Sequence, residues 1–167
     1  MPEDGQARSA QGWRLLFYPA FLEQLERLIA IVEQQAAKGV HGGSAKLLGL
    51  IDVLVYDQIP RDPEDPRFRQ GGTLGPARKH WFRAKFGGGR FRLFFRFRTD
   101  VHLIVFAWVN DSETLRTYGA KTDAYAVFGQ MVDRGDPPDD WEELVRMASA
   151  PEVLSRADRV FGRPRGK

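Results

Sequence analysis

"WFRAKFGGGRFRLFFRFR", residues 81–98, alternates aromatic rings with positive charge and contains no carboxylate. Side chains alternate across a strand, so a period of two sorts them onto opposite faces. In "WFRAKF", Arg83 and Lys85 point one way while Phe82, Ala84 and Phe86 point the other. "GGG" at 87–89 supplies a turn. In "RFRLFFRFR", Arg90, Arg92, Arg96 and Arg98 share a face with Phe94, and Phe91, Leu93, Phe95 and Phe97 share the opposite one. The stretch predicts a hairpin whose ring-bearing side covers a core and whose far side gathers cations. After "TD", the run "VHLIVFAWV" (101–109) is apolar on both faces and predicts a central, buried strand.

Upstream, the period changes to that of a helix. Phe21, Leu22, Leu25, Leu28, Ile29 and Val32 mark one amphipathic helix after Pro19. "KGVHGGS" breaks it, with Ser44 as the expected cap of a second helix carrying Leu47, Leu48, Leu50, Ile51, Leu54 and Val55. The pair reads as a helical hairpin. The Pro- and Gly-dense stretch 59–80 reads as a long surface loop. Downstream, Thr122 or Asp123 caps a helix with Tyr125, Phe128, Met131 and Val132 inward; a further helix carries Trp141, Leu144 and Val145. The expected organisation is a disordered N-terminus (1–12), one α+β domain (13–150) and a basic C-terminal tail (151–167).

The charge distribution narrows the function. The chain has 167 residues with 25 Lys or Arg against 22 Asp or Glu. Ten of those bases and none of the acids fall between Pro66 and Thr99, so the remainder holds 15 bases against 22 acids. Such asymmetry predicts a local site for a polyanion, with nucleic acid the commonest in a cell. The rival reading is a solvated face kept for solubility. No cysteine is present, which excludes disulfides, zinc–thiolate sites and thiol nucleophiles and fits a cytoplasmic setting. The polar start predicts no signal peptide, and no run of about 18 apolar residues predicts a membrane span.

Three histidines, His41, His80 and His102, show no ligand spacing, so no metal site and no cofactor are expected. Clustered Arg and Lys with tyrosines suit displacement at a phosphodiester, where negative charge grows on the phosphoryl oxygens. RNA carries its own nucleophile, the 2′-hydroxyl. The protein then has to align that group, neutralise charge and move protons. Lysine and tyrosine have ordinary pKa values near ~10. A positive charge ~7 Å away is worth roughly 0.6 kcal/mol in water and ~2.4 at an effective dielectric of 20, which lowers the pKa of either group by about half a unit to two units.

The motifs "WFRAKFGGGRFRLFFR" and "WVNDSETLRTYGAKTDAYAVFGQMVDRGDPPDDWEEL" resemble those of the YhaV family, a branch of the RelE-type ribonuclease toxins. The likeness runs from about Trp13 to Leu144 and is dense between 68 and 144. It implies a RelE-like α+β fold, an N-terminal helical hairpin on a small twisted antiparallel sheet with C-terminal helices. It implies a metal-independent mRNA interferase acting on the ribosome and stopping translation. It also implies a cognate antitoxin with an AbrB-like swapped-hairpin domain (PrlF type), and contact with operator DNA only through the toxin–antitoxin complex. The residues carried over by motif are Arg83, Lys85, Arg92, Arg116 and Tyr118 as the catalytic set. Arg90, Arg96, Lys79, Lys121 and Tyr125 are the expected RNA-binding set. Arginine at 83, where such toxins often have lysine, implies a charge stabiliser there. Tyr118 and Tyr125 both stand as candidates for the site tyrosine.

Duller readings stand beside these. Arg92 could pair with an acid from the helices, Arg83 and Lys85 could only grip backbone phosphates, and Tyr118 could be a core ring. Trp81 and Trp108 are expected in the core, and Asn110 and Asp111 in a turn. The alternative function is a noncatalytic RNA- or ribosome-binding module using the same face.

Overall fold

A computed structural model describes residues 8–71, 74–111 and 123–162. Five strands form one sheet: β1 (Arg8–Ala10), β2 (Trp13–Phe17), β3 (Phe82–Phe86), β4 (Phe91–Arg98) and β5 (Leu103–Val109). Their spatial order is β1-β2-β5-β4-β3. The sheet is mixed rather than antiparallel throughout, because β2 runs parallel to β5. The connection from β2 to the β3–β5 meander passes through helices α1 (Pro19–Ala37) and α2 (Gly43–Val53), and such a crossover returns the chain in the same direction.

β5 lies at the centre and is buried along its whole length, as its two-sided apolar pattern requires. β5 departs from strict alternation in one place. Phe94 faces Trp108 and Phe95 faces Phe106, which leaves Ala107 as the extra residue of a bulge on β5. Ala107 and Trp108 therefore turn to the same side.

Helices cover both faces of the sheet. On one side Leu15, Phe17, Leu93, Phe95 and Phe106 meet α1, α2 and the last helix, α5 (Pro151–Phe161). On the other side Leu16, Trp81, Phe94, Val105 and Trp108 meet α3 (Ala124–Asp133) and α4 (Trp141–Ala148). Phe128 of α3 stacks on Phe94 at 4.2 Å between ring centroids and meets Trp81 edge-on at 5.0 Å. The cation-bearing side of β3–β4 is thus not a free surface: a second core occupies much of it.

Several sequence expectations are corrected. The chain ends at 8–10 and 151–161 belong to the fold: β1 pairs with β2, and α5 docks by the bidentate Arg156–Glu26 pair at 2.8 Å. Arg8 joins them, 3.8 Å from Asp158 and over the Phe161 ring. Ser44 does not cap α2, whose N-cap is Gly42. The helix runs past Val55 through a π-helical turn, Leu54–Gln58, into a last turn at Ile59–Arg61, where Pro60 has no N–H to continue the ladder. The stretch after it is anchored rather than loose. Phe68 is buried edge-on against Phe95, and Arg69 bridges to Phe82 on the β3 edge. Asp123 is the cap of α3, accepting from the Ala126 N–H at 2.9 Å. No helix among the described residues is long and apolar enough to cross a membrane.

Phe128 is fully buried in the second core. Phe128→Ala should lower unfolding stability by ~3–5 kcal/mol, read from urea titrations followed by circular dichroism.

Candidate active site

Antiparallel register decides which cations meet. Lys85 lies directly opposite Arg92, and Arg83 opposite Phe94. Arg83, Lys85 and Arg92 consequently project from one side of the hairpin, at its turn end. That turn is built by Gly87, Gly88 and Gly89, all at positive φ (61°, 73° and 81°), which side-chain-bearing residues rarely adopt. At Gly87 an added Cβ would also lie 2.8 Å from the Phe91 ring.

Tyr125, in the first turn of α3, completes the cluster. Its hydroxyl oxygen accepts from Arg83 Nε at 2.8 Å and from Arg92 Nε at 3.2 Å. The Arg92 guanidinium carbon stands 5.5 Å from the centre of the Tyr125 ring. Each arginine is held by a second anchor. Arg83 Nη1 donates to the Arg67 carbonyl at 2.7 Å, and Arg92 Nη1 donates to the Gly89 carbonyl at 2.5 Å. Among the described residues no carboxylate pairs with Arg83, Lys85, Arg90 or Arg92. The acid partner weighed above for Arg92 is therefore absent there, and its place is taken by a phenol and a backbone carbonyl. Lys85 and Arg90 are exposed, while Arg83 and Arg92 are half-buried. Beside them a cleft of about 300 Å³ opens between Leu54, Gln58, Arg67, Arg83 and Lys85.

The geometry dictates what the tyrosine can do. A phenol oxygen has two lone pairs and one proton. With both lone pairs taken by guanidinium N–H groups, its proton is left to donate outward. The oxygen remaining after that donation keeps two charge-assisted donors.

Asn110, which sequence reasoning placed in a turn, supports the candidate site. It is buried: Oδ1 accepts from the Arg92 N–H at 2.7 Å, and the backbone N–H donates to the Arg92 carbonyl at 3.3 Å. It pins the start of β4 from both sides. Gln24 of α1 backs it, donating to the Val109 carbonyl at 2.9 Å and to Asp111 at 3.1 Å. A short polar side chain straight after an apolar strand was the only signal, and turns carry the same one.

Four other cations of 66–99, Arg78, Lys79, Arg96 and Arg98, separate from the cluster. Arg96, expected to bind RNA, lies at the opposite end of the hairpin. It stands between Trp81 and Trp141, 5.3 Å from each ring, and donates to the Asp139 carbonyl at 2.6 Å. Burial pushes its pKa below the ordinary arginine value against the pull of Asp139 and Asp140. Half-buried and held on three sides, it acts as a clamp between the sheet and α4. Arg78 pairs with Asp133 at 2.6 Å and Arg98 with Asp100 at 2.5 Å. Lys79 is exposed at the same far end, on the turn before β3. Arg116, Tyr118 and Lys121 lie outside the described residues. No group of three or more His, Asp or Glu among the described residues is placed to hold a metal ion.

The model of one protein family matches residues 15–149: toxins with endonuclease activity, of toxin–antitoxin systems. The chain belongs to the YhaV toxin family. It is 44% identical over 140 residues to the "Ribonuclease toxin YhaV" of Escherichia coli strain K12, covering 81% of this chain and 91% of that protein. The "Toxin YhaV" of Escherichia coli O157:H7 shows the same identity and coverage. No solved structure matches significantly. The YhaV match spans the cation cluster, Tyr125 and Asn110 together.

The Trp81–Arg96 clamp includes one acid with a pH signature. Asp139 Oδ1 takes hydrogen bonds from Trp81 Nε1 at 2.7 Å and His80 Nε2 at 2.8 Å. Burial works against its charge, but these two bonds and the charges of His80 and Arg96 outweigh it and hold the carboxyl below its usual value. A depressed carboxyl stabilises the fold above its unfolded pKa, near ~4, and loses that contribution as pH falls through the folded value. The melting temperature of the parent should therefore fall more steeply below pH ~4 than that of Asp139→Asn, measured by thermal scans across pH.

Proposed function

We propose that this toxin is a metal-independent endoribonuclease that cleaves mRNA through attack of the substrate's own 2′-hydroxyl. The observation that carries the reading is the meeting of Arg83 and Arg92 on one tyrosine hydroxyl, with Lys85 opposite Arg92 on the same side of the hairpin and no carboxylate partner for any of the three among the described residues. Arg83 and Arg92 clamp the scissile phosphate and stabilise the charge growing on its oxygens. Tyr125 donates its proton to the departing 5′-oxygen, because that proton is the hydroxyl's one free hydrogen-bonding element. Lys85, opposite Arg92, adds charge at the solvent side. Together with Tyr118, it is a candidate carrier for the proton leaving the 2′-hydroxyl. The products are a 2′,3′-cyclic phosphate and a 5′-hydroxyl end.

The resemblance to RelE-type toxins extends the reading to a RelE-like arrangement of the helices and sheet and to cleavage on the ribosome in the cytoplasm. It supports a place for Arg116 and Lys121 in the same RNA-binding surface, with Arg90 at its rim. The name of the Escherichia coli K12 relative, a ribonuclease toxin, supports RNA as substrate. An antitoxin with an AbrB-like domain completes the reading, with operator binding only by the complex.

Two outcomes test the chemistry. Tyr125→Phe should lower kcat by ~10²-fold or more with little change in KM, because general acids act in the transition state. Arg83→Ala and Arg92→Ala should each cost ~10²–10³-fold in kcat. Cleavage of a labelled mRNA, in excess chelator and with and without ribosomes, measures both. Full activity of Tyr125→Phe would remove it from the mechanism. Binding of ribosomes with no cleavage by the parent would favour a noncatalytic module.

A further inference from the structure

Away from the cation cluster, a groove of about 760 Å³ runs between α1 and α2. One wall is Gln24, Leu28, Ile31 and Gln35 of α1, at spacings of four, three and four. The other is Gly43, Leu47 and Leu50 of α2, at four and three. This is the a/d spacing of a coiled-coil seam. Two such seams facing one slot leave room for a third helix rather than for an extended strand or a compact metabolite. Ile31 is 43% and Leu50 36% exposed, so the apolar stripes do not close on each other. Phe91 and Val109 form the floor. α2 has 11 residues, about 16 Å at 1.5 Å each, enough for three turns of a partner helix.

The rim and the end wall say what kind of helix. Arg27 of α1, 3.5 Å from Glu23, and Lys46 of α2 line the two sides, and among the described residues Lys46 has no ion pair. A fitting helix carries an apolar stripe at i, i+3, i+4 and i+7 flanked by carboxylates. The end wall is Gly87, Gly88 and Asn110. These belong to the structure that holds Arg92, through the Gly89 carbonyl at 2.5 Å and Asn110 Oδ1 at 2.7 Å. An occupant therefore touches the back of the cation cluster without covering its front. A toxin–antitoxin system implies a partner that must silence this enzyme.

We propose that the α1–α2 groove seats an acidic-flanked amphipathic helix of the cognate antitoxin. The inference rests on the reading of this chain as a toxin whose activity the partner suppresses.

Ile31→Glu and Leu50→Arg each put a charge into the groove at an exposed position, so the fold should survive. Titration of purified cognate antitoxin into each variant by calorimetry should show at least about 30-fold weaker binding than the parent, the loss expected of a hot-spot contact. Lys46→Glu should weaken binding about tenfold, with the difference shrinking at high salt. RNA cleavage by each variant alone should stay within about twofold of the parent. Unchanged antitoxin affinity in both apolar variants overturns the proposal. So does a parent that sediments as a dimer and becomes monomeric in both, since a second copy would then fill the groove. Loss of antitoxin binding in a chain that never cleaves RNA would uphold the groove and sink the nuclease reading instead.

Discussion

The register of one hairpin places the cations of this protein's candidate site. Lys85 faces Arg92 and Arg83 faces Phe94, so three cations and one aromatic ring share a patch two strands wide. A slip of one residue would send Arg83, Lys85 and Arg92 into the core and Ala84, Phe86 and Leu93 out of it. Burial of Ala84, Leu93 and Phe95 against the α1–α2 side makes that slip prohibitive. The greasy side of the hairpin is therefore what places the charged side.

The second core divides the charged side into two regions with different duties. Where α3 and α4 cover it, arginine is a structural residue. Arg96 packs between two indoles and satisfies the Asp139 carbonyl just ahead of α4, which suits a planar cation with a weakly hydrated head. At the turn end, the arginines are fixed by neutral acceptors: the Tyr125 hydroxyl and the carbonyls of Arg67 and Gly89. Neutral anchoring orients a guanidinium without cancelling its charge. A carboxylate in the same place would have competed with phosphate. The absence of acids from 66–99 has this physical consequence at one end of the hairpin only.

The site is stiffened from behind. Asn110 pins β4 beside Arg92, and Gln24 ties the end of β5 to α1. The same residues line the groove between α1 and α2, so the surface that supports the cluster is also reachable from the opposite side of the sheet.

Periodicity alone determined the hairpin, its two-faced character, the buried central strand and the two helices before it, since burial imposes a period of two or 3.6 on any covered element. The pairing of Arg83, Lys85 and Arg92 was legible for the same reason. Tertiary structure decided the rest. The parallel pairing of β2 with β5 depends on the route of the chain through α1 and α2. The ordered end at Pro151–Phe161 depends on Glu26 and Arg8, each more than a hundred residues away, while Arg8–Ala10 is held first by its neighbour β2. The sorting of Arg96 from Arg92, two residues of one type on one face, depends on where α3 and α4 happen to lie. Alternation assigns a side chain to a face, but only the neighbouring layer determines whether that face is solvent, clamp or site.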